Sequence, residues 1–187
     1  MYEPKEDSEL IAEFLKDLIK KEKPTSFLDM GCGTGIQTKT ALKSGIQKSN
    51  ILAVDINQKA VKETQKLGVK AVNSDLFAKL GKAKFDLIAF NPPYLPKHKH
   101  DKSKETTGGK YGWEIIKRFL IKAKQHLTER GKILLIFSSL TNKKKVNELI
   151  KNNGFSFKEL AKRKFFMEEL YLYLLKIKKN NFLYHLI

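Results

Sequence analysis

Short apolar runs separated by stretches of helical periodicity give this chain a strand–helix–strand rhythm that few architectures accommodate. The runs are Phe27-Leu28-Asp29-Met30, Ile51-Leu52-Ala53-Val54-Asp55, a weak one at 69–72 (Val69, Ala71, Val72), Phe85-Asp86-Leu87-Ile88-Ala89-Phe90, and 133–137. Each reads as a buried strand. Between them, helices are predicted at 8–21 (Leu10, Ile11, Phe14, Leu15, Leu18 and Ile19 on one face), after Gly35 to about 43, at 57–67, at 113–127 with Gly131 marking its end, and at 142–152, stopped by Gly154. Asp7 or Ser8 is positioned to cap the first. Two β-like stretches, 155–160 and 170–177, form a closing hairpin. The expected fold is α/β: a doubly wound, mostly parallel, seven-stranded Rossmann-like sheet with an antiparallel terminal strand and helices on both faces. Residues 1–179 form a single domain, as suits 187 residues. The apolar tail 180–187 is left unassigned.

The fourth strand ends in Asn91-Pro92-Pro93-Tyr94. Two prolines end the ladder and fix φ near −65°, so the chain leaves the sheet in a rigid turn. Open α/β sheets bind ligands at the carboxyl ends of their strands. The Asn91 amide carbonyl and the backbone carbonyls beside Pro92 and Pro93 make a group of acceptors suited to a planar –NH2 group. Tyr94 supplies a flat face against it.

Gly31-Cys32-Gly33-Thr34-Gly35 follows the first strand and opens a helix. A dinucleotide fold prefers G-x-G-x-x-G, which sets a pyrophosphate on the helix N-terminus. Here the spacing is G-x-G-x-G, and Asp29 precedes it. A carboxylate there repels a pyrophosphate but attracts an ammonium, while the helix N-terminus suits a carboxylate. Asp55, with its neighbour Ile56, ends the second strand about 20 residues after the glycines, where acids bind ribose hydroxyls. Asp75 and Leu76 follow the third strand, placed to flank an adenine. Amino acid plus nucleoside without phosphate describes S-adenosylmethionine, which leaves as S-adenosylhomocysteine after methyl transfer. Each acid taken alone is equally a strand-end cap.

The formal net charge is +17, nearly all of it lysine; the arginines are Arg118, Arg130 and Arg163. The excess reads either as compositional bias or as weak attraction to RNA, ribosomes or an acidic partner. Cys32 is the single cysteine, which points to a reducing, cytoplasmic setting, and between two glycines it reads as packing rather than as a nucleophile. His98 and His100 have no third ligand nearby, so no metal site is expected. No apolar run reaches membrane-spanning length. The Lys-rich loop at 96–110 reads as a lid, a substrate contact or a surface insertion.

Taken together these motifs resemble a class I S-adenosylmethionine-dependent methyltransferase, and more narrowly the release-factor glutamine methyltransferase family (HemK/PrmC). Tyr2-Glu3-Pro4-Lys5-Glu6-Asp7-Ser8 is similar to the Tyr-Glu-Pro-x-Glu-Asp-Thr opening of the short archaeal and eukaryotic form, with Ser8 in place of Thr. Asn91-Pro92-Pro93-Tyr94 is similar to the family's catalytic motif. Gly108-Gly109-Lys110-Tyr111-Gly112-Trp113-Glu114 matches its Gly-Gly-x-x-Gly-x-Glu. The resemblance implies N5-methylation of the glutamine in the Gly-Gly-Gln loop of a release factor, with Tyr2, Pro4 and Ser8 on the cofactor. It also implies a small zinc-binding activator protein, and the edge strand at 69–72 is where such a partner would pair. The bottom-up alternative is an adenine-N6 or guanine-N2 methyltransferase acting on nucleic acid, since the same turn holds a flipped base. A non-catalytic binding subunit and a protein-lysine methyltransferase are the other readings.

Overall fold

The computed structural model describes residues 6–97, 107–165 and 168–178. Tyr2, Pro4, His98, His100 and the tail 180–187 lie outside the described residues. A seven-stranded sheet runs β3-β2-β1-β4-β5-β7-β6, built from β1 (Phe27–Met30), β2 (Ile51–Asp55), β3 (Lys70–Asn73), β4 (Phe85–Phe90), β5 (Leu127–Ser138), β6 (Phe155–Lys164) and β7 (Glu169–Ile177). The pairs β1–β2, β2–β3, β1–β4 and β4–β5 are parallel. β7 inserts between β5 and β6 and is antiparallel to both. Every residue of β1 and β4 is buried, as expected of central strands covered on both faces.

The covering layers are α1 (Glu6–Glu22), α2 (Ile36–Lys43), α3 (Gln58–Gln65), α4 (Glu114–Ala123) and α5 (Lys143–Asn152). α1 packs on α2, α4 packs on α5, and α3 lies against β2 and β3. α1 turns Leu10, Ile11, Leu15, Leu18 and Ile19 inward, the i, i+3/i+4 stripe that binds a helix to a core. Asn57 and Asn142 cap α3 and α5, their side chains accepting from Lys59 N at 2.9 Å and Lys145 N at 3.1 Å. Among the described residues, no helix is long and apolar enough to cross a membrane.

The structure corrects three local expectations. The helix expected at 113–127 ends at Ala123, and β5 begins at Leu127, six residues before the expected strand. The cause lies in β4. Asp86 accepts from Thr25, Thr128 and Arg130 and draws 128–130 alongside it. Burial pushes the Asp86 carboxyl up, but these donors outweigh it and hold the group well below the usual carboxylate range. Gly131 is therefore a strand glycine, not a helix end: a Cβ there would sit 2.9 Å from the Phe85 carbonyl, beside the register shift between β4 and β5. Asp7 and Ser8 lie inside the first turn of α1 rather than ahead of it.

Candidate active site

The carboxyl ends of β1, β2, β3 and β4 converge on a cavity of about 630 Å³. Asp29, Gly31, Gly33, Asp55, Ile56, Asp75, Leu76, Asn91, Pro92, Pro93, Tyr94 and Ser8 all line it. Residues spread over 87 positions thus meet in one concavity because each closes a strand of one sheet or opens the helix above it. Gly35 is the exception. It stands at the N-terminus of α2 with φ +76°, and a Cβ there would lie 3.1 Å from Leu67 and 3.2 Å from Thr64. It seats α2 against α3 instead of lining the cavity.

Asn91 is the centre of the arrangement. Its Nδ2 donates to Asp7 Oδ2 at 3.1 Å and Ser8 Oγ at 3.3 Å. Tyr94 Oη donates to the same Asp7 oxygen at 2.9 Å. A carboxylate only accepts, so Asp7 fixes which way the Asn91 amide faces. Its other atom, Oδ1, is left buried with no partner among the described residues. A buried acceptor without a donor costs about 1–3 kcal/mol, so an unfilled one in a cavity marks a ligand position. Asp7 is 4% exposed; it acts as a positioning residue that sequence reading took only for a cap.

Gln37 repeats the pattern. Its Nε2 donates to the Ser8 carbonyl at 3.0 Å, leaving Oε1 buried and unpartnered on the cavity wall. Ser8 is consequently engaged on both sides, and its hydroxyl serves Asn91 and Asp7. Asp29 is 1% exposed and accepts from Thr38 N at 2.9 Å and Thr38 Oγ1 at 2.7 Å. Burial pushes its carboxyl up to about 6, and those Thr38 contacts only partly offset it. Asp55 holds the glycine loop with one oxygen, accepting from Gly33 N at 2.9 Å, and its own turn with the other, accepting from Asn57 N at 2.8 Å. Asp75 is paired with Arg118 across the rim at 2.6 Å, a contact no sequence signal announces. Ile56 is 71% exposed beside them. Cys32 is buried, its thiol pushed up by that burial, with Thr64 Oγ1 donating to its sulfur at 3.3 Å.

The turn after Asn91 is locked from outside. Thr141 Oγ1 donates to the Tyr94 carbonyl at 2.8 Å, and Gly108 N to the Leu95 carbonyl at 2.9 Å. A Cβ on Gly108 would fall 2.5 Å from the Pro93 carbonyl, and one on Gly112 2.4 Å from the Tyr94 carbonyl. These two positions admit only glycine because backbone passes directly over the turn.

Comparison with known proteins follows the same lines. The family model for the methyltransferase small domain matches residues 6–167. A Methanocaldococcus jannaschii protein, provisionally named a protein N5-glutamine methyltransferase, is 38% identical over 181 residues, covering 91% of this chain and 88% of that protein. The release factor glutamine methyltransferase of Aquifex aeolicus is 31% identical over 71% of this chain; the chain spans 53% of that longer protein. Among solved structures, the chain is similar to one from the E. cuniculi Mtq2–Trm112 complex, described as responsible for methylation of the eRF1 termination factor. That likeness has a TM-score of 0.73, 26% identity, and coverage of 95% of this chain and 98% of the other.

Proposed function

The chain belongs to the methyltransferase small domain family, in its HemK/PrmC branch of protein glutamine N5-methyltransferases, and we propose that it methylates the side-chain nitrogen of a glutamine in the Gly-Gly-Gln loop of a translation termination factor. The observation that carries the reading is the oriented, unpartnered Asn91 Oδ1 at the end of β4.

The residues fit S-adenosylmethionine. The unpartnered Gln37 Oε1 and the buried Asp29 carboxylate would hold its amino group, Asp55 its ribose hydroxyls, and Ile56, Leu76 and Asp75 its adenine. Bound there, the cofactor supplies a methyl group activated on a sulfonium. The remaining work belongs to the protein. An amide nitrogen is a poor nucleophile because its lone pair is shared with the carbonyl. Asn91 Oδ1 and the Pro92 carbonyl accept its two N–H bonds and favour a pyramidal nitrogen as positive charge grows on it. That stabilisation is realised mainly in the transition state. Tyr94, tied by its hydroxyl to Asp7, holds a fixed ring beside the amide. Holding the nitrogen in line with the methyl contributes through proximity. No strong general base is needed, because the nitrogen proton becomes acidic only after attack.

β3 is one edge of the sheet. A small zinc-binding activator pairing along Lys70–Asn73 would cover that edge, in keeping with the two-protein complex in which the structural relative was solved.

The test is label partition. The protein, alone and co-purified with a candidate activator, is incubated with isotopically labelled S-adenosylmethionine, termination factor and total RNA together. Label confined to the termination factor supports the reading. Label confined to RNA would move the function to an exocyclic base amine, which the same acceptors also hold.

A further inference from the structure

The chain that passes over the outer side of the catalytic turn carries chemistry of its own. Tyr111 and Trp113 flank Gly112, where a Cβ would fall 2.4 Å from the Tyr94 carbonyl. Thr141 donates to that same carbonyl, so Leu140 and the start of α5 stand beside the two rings. The rings of Tyr111 and Trp113 are parallel within 4°, with centroids 5.8 Å apart. Lys110 Nζ lies over the Tyr111 ring, 5.0 Å from its centroid, and Lys145 Nζ over the Trp113 ring at 5.8 Å. Ammonium groups at such distances are attracted to the ring faces.

Exposure and charge set this strip apart from the rest of the surface. Ile56, Tyr111, Ile121 and Leu140 are the exposed large apolar side chains among the described residues. Ile56 belongs to the cofactor cavity, whereas Tyr111 and Leu140, each about half exposed, share the strip. Lys97 is drawn in by its N–H, which donates to the Gly109 carbonyl at 3.0 Å. Lys97, Lys110 and Lys144 are exposed and have no ion-pair partner among the described residues. Lys143 and Lys145 are paired, with Glu159 at 2.7 Å and Glu148 at 3.3 Å. Glu114 is turned inward: its Oε1 accepts from Tyr111 N at 2.9 Å and its Oε2 is buried. The outer surface of the strip is therefore flat rings among uncompensated ammonium groups.

That combination limits the occupant. Single-stranded nucleic acid presents a base face and a phosphate at every step, and proteins that hold it without sequence preference combine stacking rings with a basic track. An acidic peptide would engage the lysines but leave the rings uncovered. We propose that the strip formed by Lys110, Tyr111, Trp113, Leu140, Lys144 and Lys145 is a docking surface for single-stranded RNA. Bases stack on the exposed Tyr111 ring, and Lys97, Lys110 and Lys144 take phosphates. A strand held there runs past the mouth of the active-site cavity.

The high net charge attracts any polyanion, so the test needs a remote control. α1 supplies it. Side chains alternate faces along a strand; Lys162 of β6 pairs with Tyr171, under Lys143 of α5, while the next residue, Arg163, reaches Glu13 of α1. α1 and α5 therefore cover opposite faces of the sheet, and Lys16 and Lys20 are exposed on α1.

Trp113 is the single tryptophan of the chain, so its emission reports on the strip directly. The protein alone is titrated with an oligouridylate of about 12 nucleotides, within the span one such surface covers, and with polyglutamate of the same length. The RNA should quench Trp113, and its affinity should fall with salt at a logarithmic slope of about −2, as three phosphate contacts on a single strand give. Tyr111→Ala should weaken binding roughly tenfold, as loss of one stacked base does, while Tyr111→Phe, which keeps the ring, should bind like wild type. Lys144→Ala should make the slope shallower by about 0.7. Replacing Lys16 and Lys20 together by alanine should change affinity less than about twofold. The inference is overturned if RNA leaves Trp113 emission unchanged, if the α1 variant loses as much affinity as Tyr111→Ala, or if Tyr111→Phe is as weak as Tyr111→Ala. Tighter binding of polyglutamate than of RNA would overturn it in favour of an acidic protein partner. Binding is read without S-adenosylmethionine or turnover, so failure here leaves the proposed reaction untouched.

Discussion

Replacing Asp7 by alanine should cripple catalysis without touching the reacting groups. Asp7 Oδ2 accepts from Asn91 Nδ2 at 3.1 Å and Tyr94 Oη at 2.9 Å, in a position 4% exposed. Hydrogen bonds to a charged group contribute about 1.5–3 kcal/mol. The Asp7 contact sets the energy gap between the productive Asn91 amide and its flipped form, which would aim Oδ1 at a carboxylate. Losing that gap leaves the two orientations about equally populated, a loss of about twofold, and loosening the Asn91 amide and the Tyr94 ring from their fixed positions should bring the total fall to about 10- to 100-fold; the remaining Ser8 contact at 3.3 Å favours the smaller figure. Asn91→Ala removes the acceptor itself and should cost about 10²–10³ in kcat. Because Asp7 acts through Asn91, the double variant should be no slower than Asn91→Ala alone. Single-turnover methylation reads the rate, and calorimetric titration of S-adenosylmethionine should find binding kept within a few-fold. Stability should drop by about 1–3 kcal/mol, from the contacts to the Asp7 carboxylate that Asn91 and Tyr94 lose. Wild-type rates for Asp7→Ala, or fully additive losses in the double variant, would refute the reasoning.

Three further outcomes are expected. Burial raises the Asp29 carboxyl to about 6 from an ordinary value of 3.8, so its charged form costs the fold about 3 kcal/mol above pH 6, a cost relieved as pH falls through 6. A ligand ammonium prefers that charged form, so cofactor affinity should be flat above pH 6 and fall towards tenfold per unit below it. Titration calorimetry between pH 5 and 8 reads the slope, and Asp29→Asn should abolish it. Gly112→Ala drives a Cβ to 2.4 Å from the Tyr94 carbonyl at φ +86°; it should displace the catalytic turn and cost roughly 10² in kcat, with circular dichroism unchanged. The Cys32 thiol, buried and pushed up by burial, should resist iodoacetamide under native conditions. Rapid labelling there would contradict its packing.

The parts of this structure that were legible in the sequence are those written in local periodicity. Strand–helix alternation gave the parallel half of the sheet, and Asn91, Asp55 and Asp75 stood out because each closes a strand. What stayed hidden depends on long-range bonds. Asp7 reads locally as a helix cap; its role appears only when α1 lays it against residues more than 80 positions away. Gln37 sits on a helix face like any polar residue until Ser8 orients it. Gly131 reads as a helix stop because the pull of Asp86 on Thr128 and Arg130 is invisible in one dimension. Gly35 erred the other way, since a glycine-rich loop does not say which glycine serves the ligand and which serves helix packing.

The central claim is that Asn91 presents a glutamine amide for methylation, and site mapping tests it most directly. Termination factor incubated with S-adenosylmethionine and either wild type or Asn91→Ala would be digested and sequenced by tandem mass spectrometry. A single methyl on the side-chain nitrogen of the Gly-Gly-Gln glutamine, strongly reduced with Asn91→Ala, is the predicted result. A methyl on lysine, on RNA, or on the same glutamine at an undiminished rate with Asn91→Ala would contradict it.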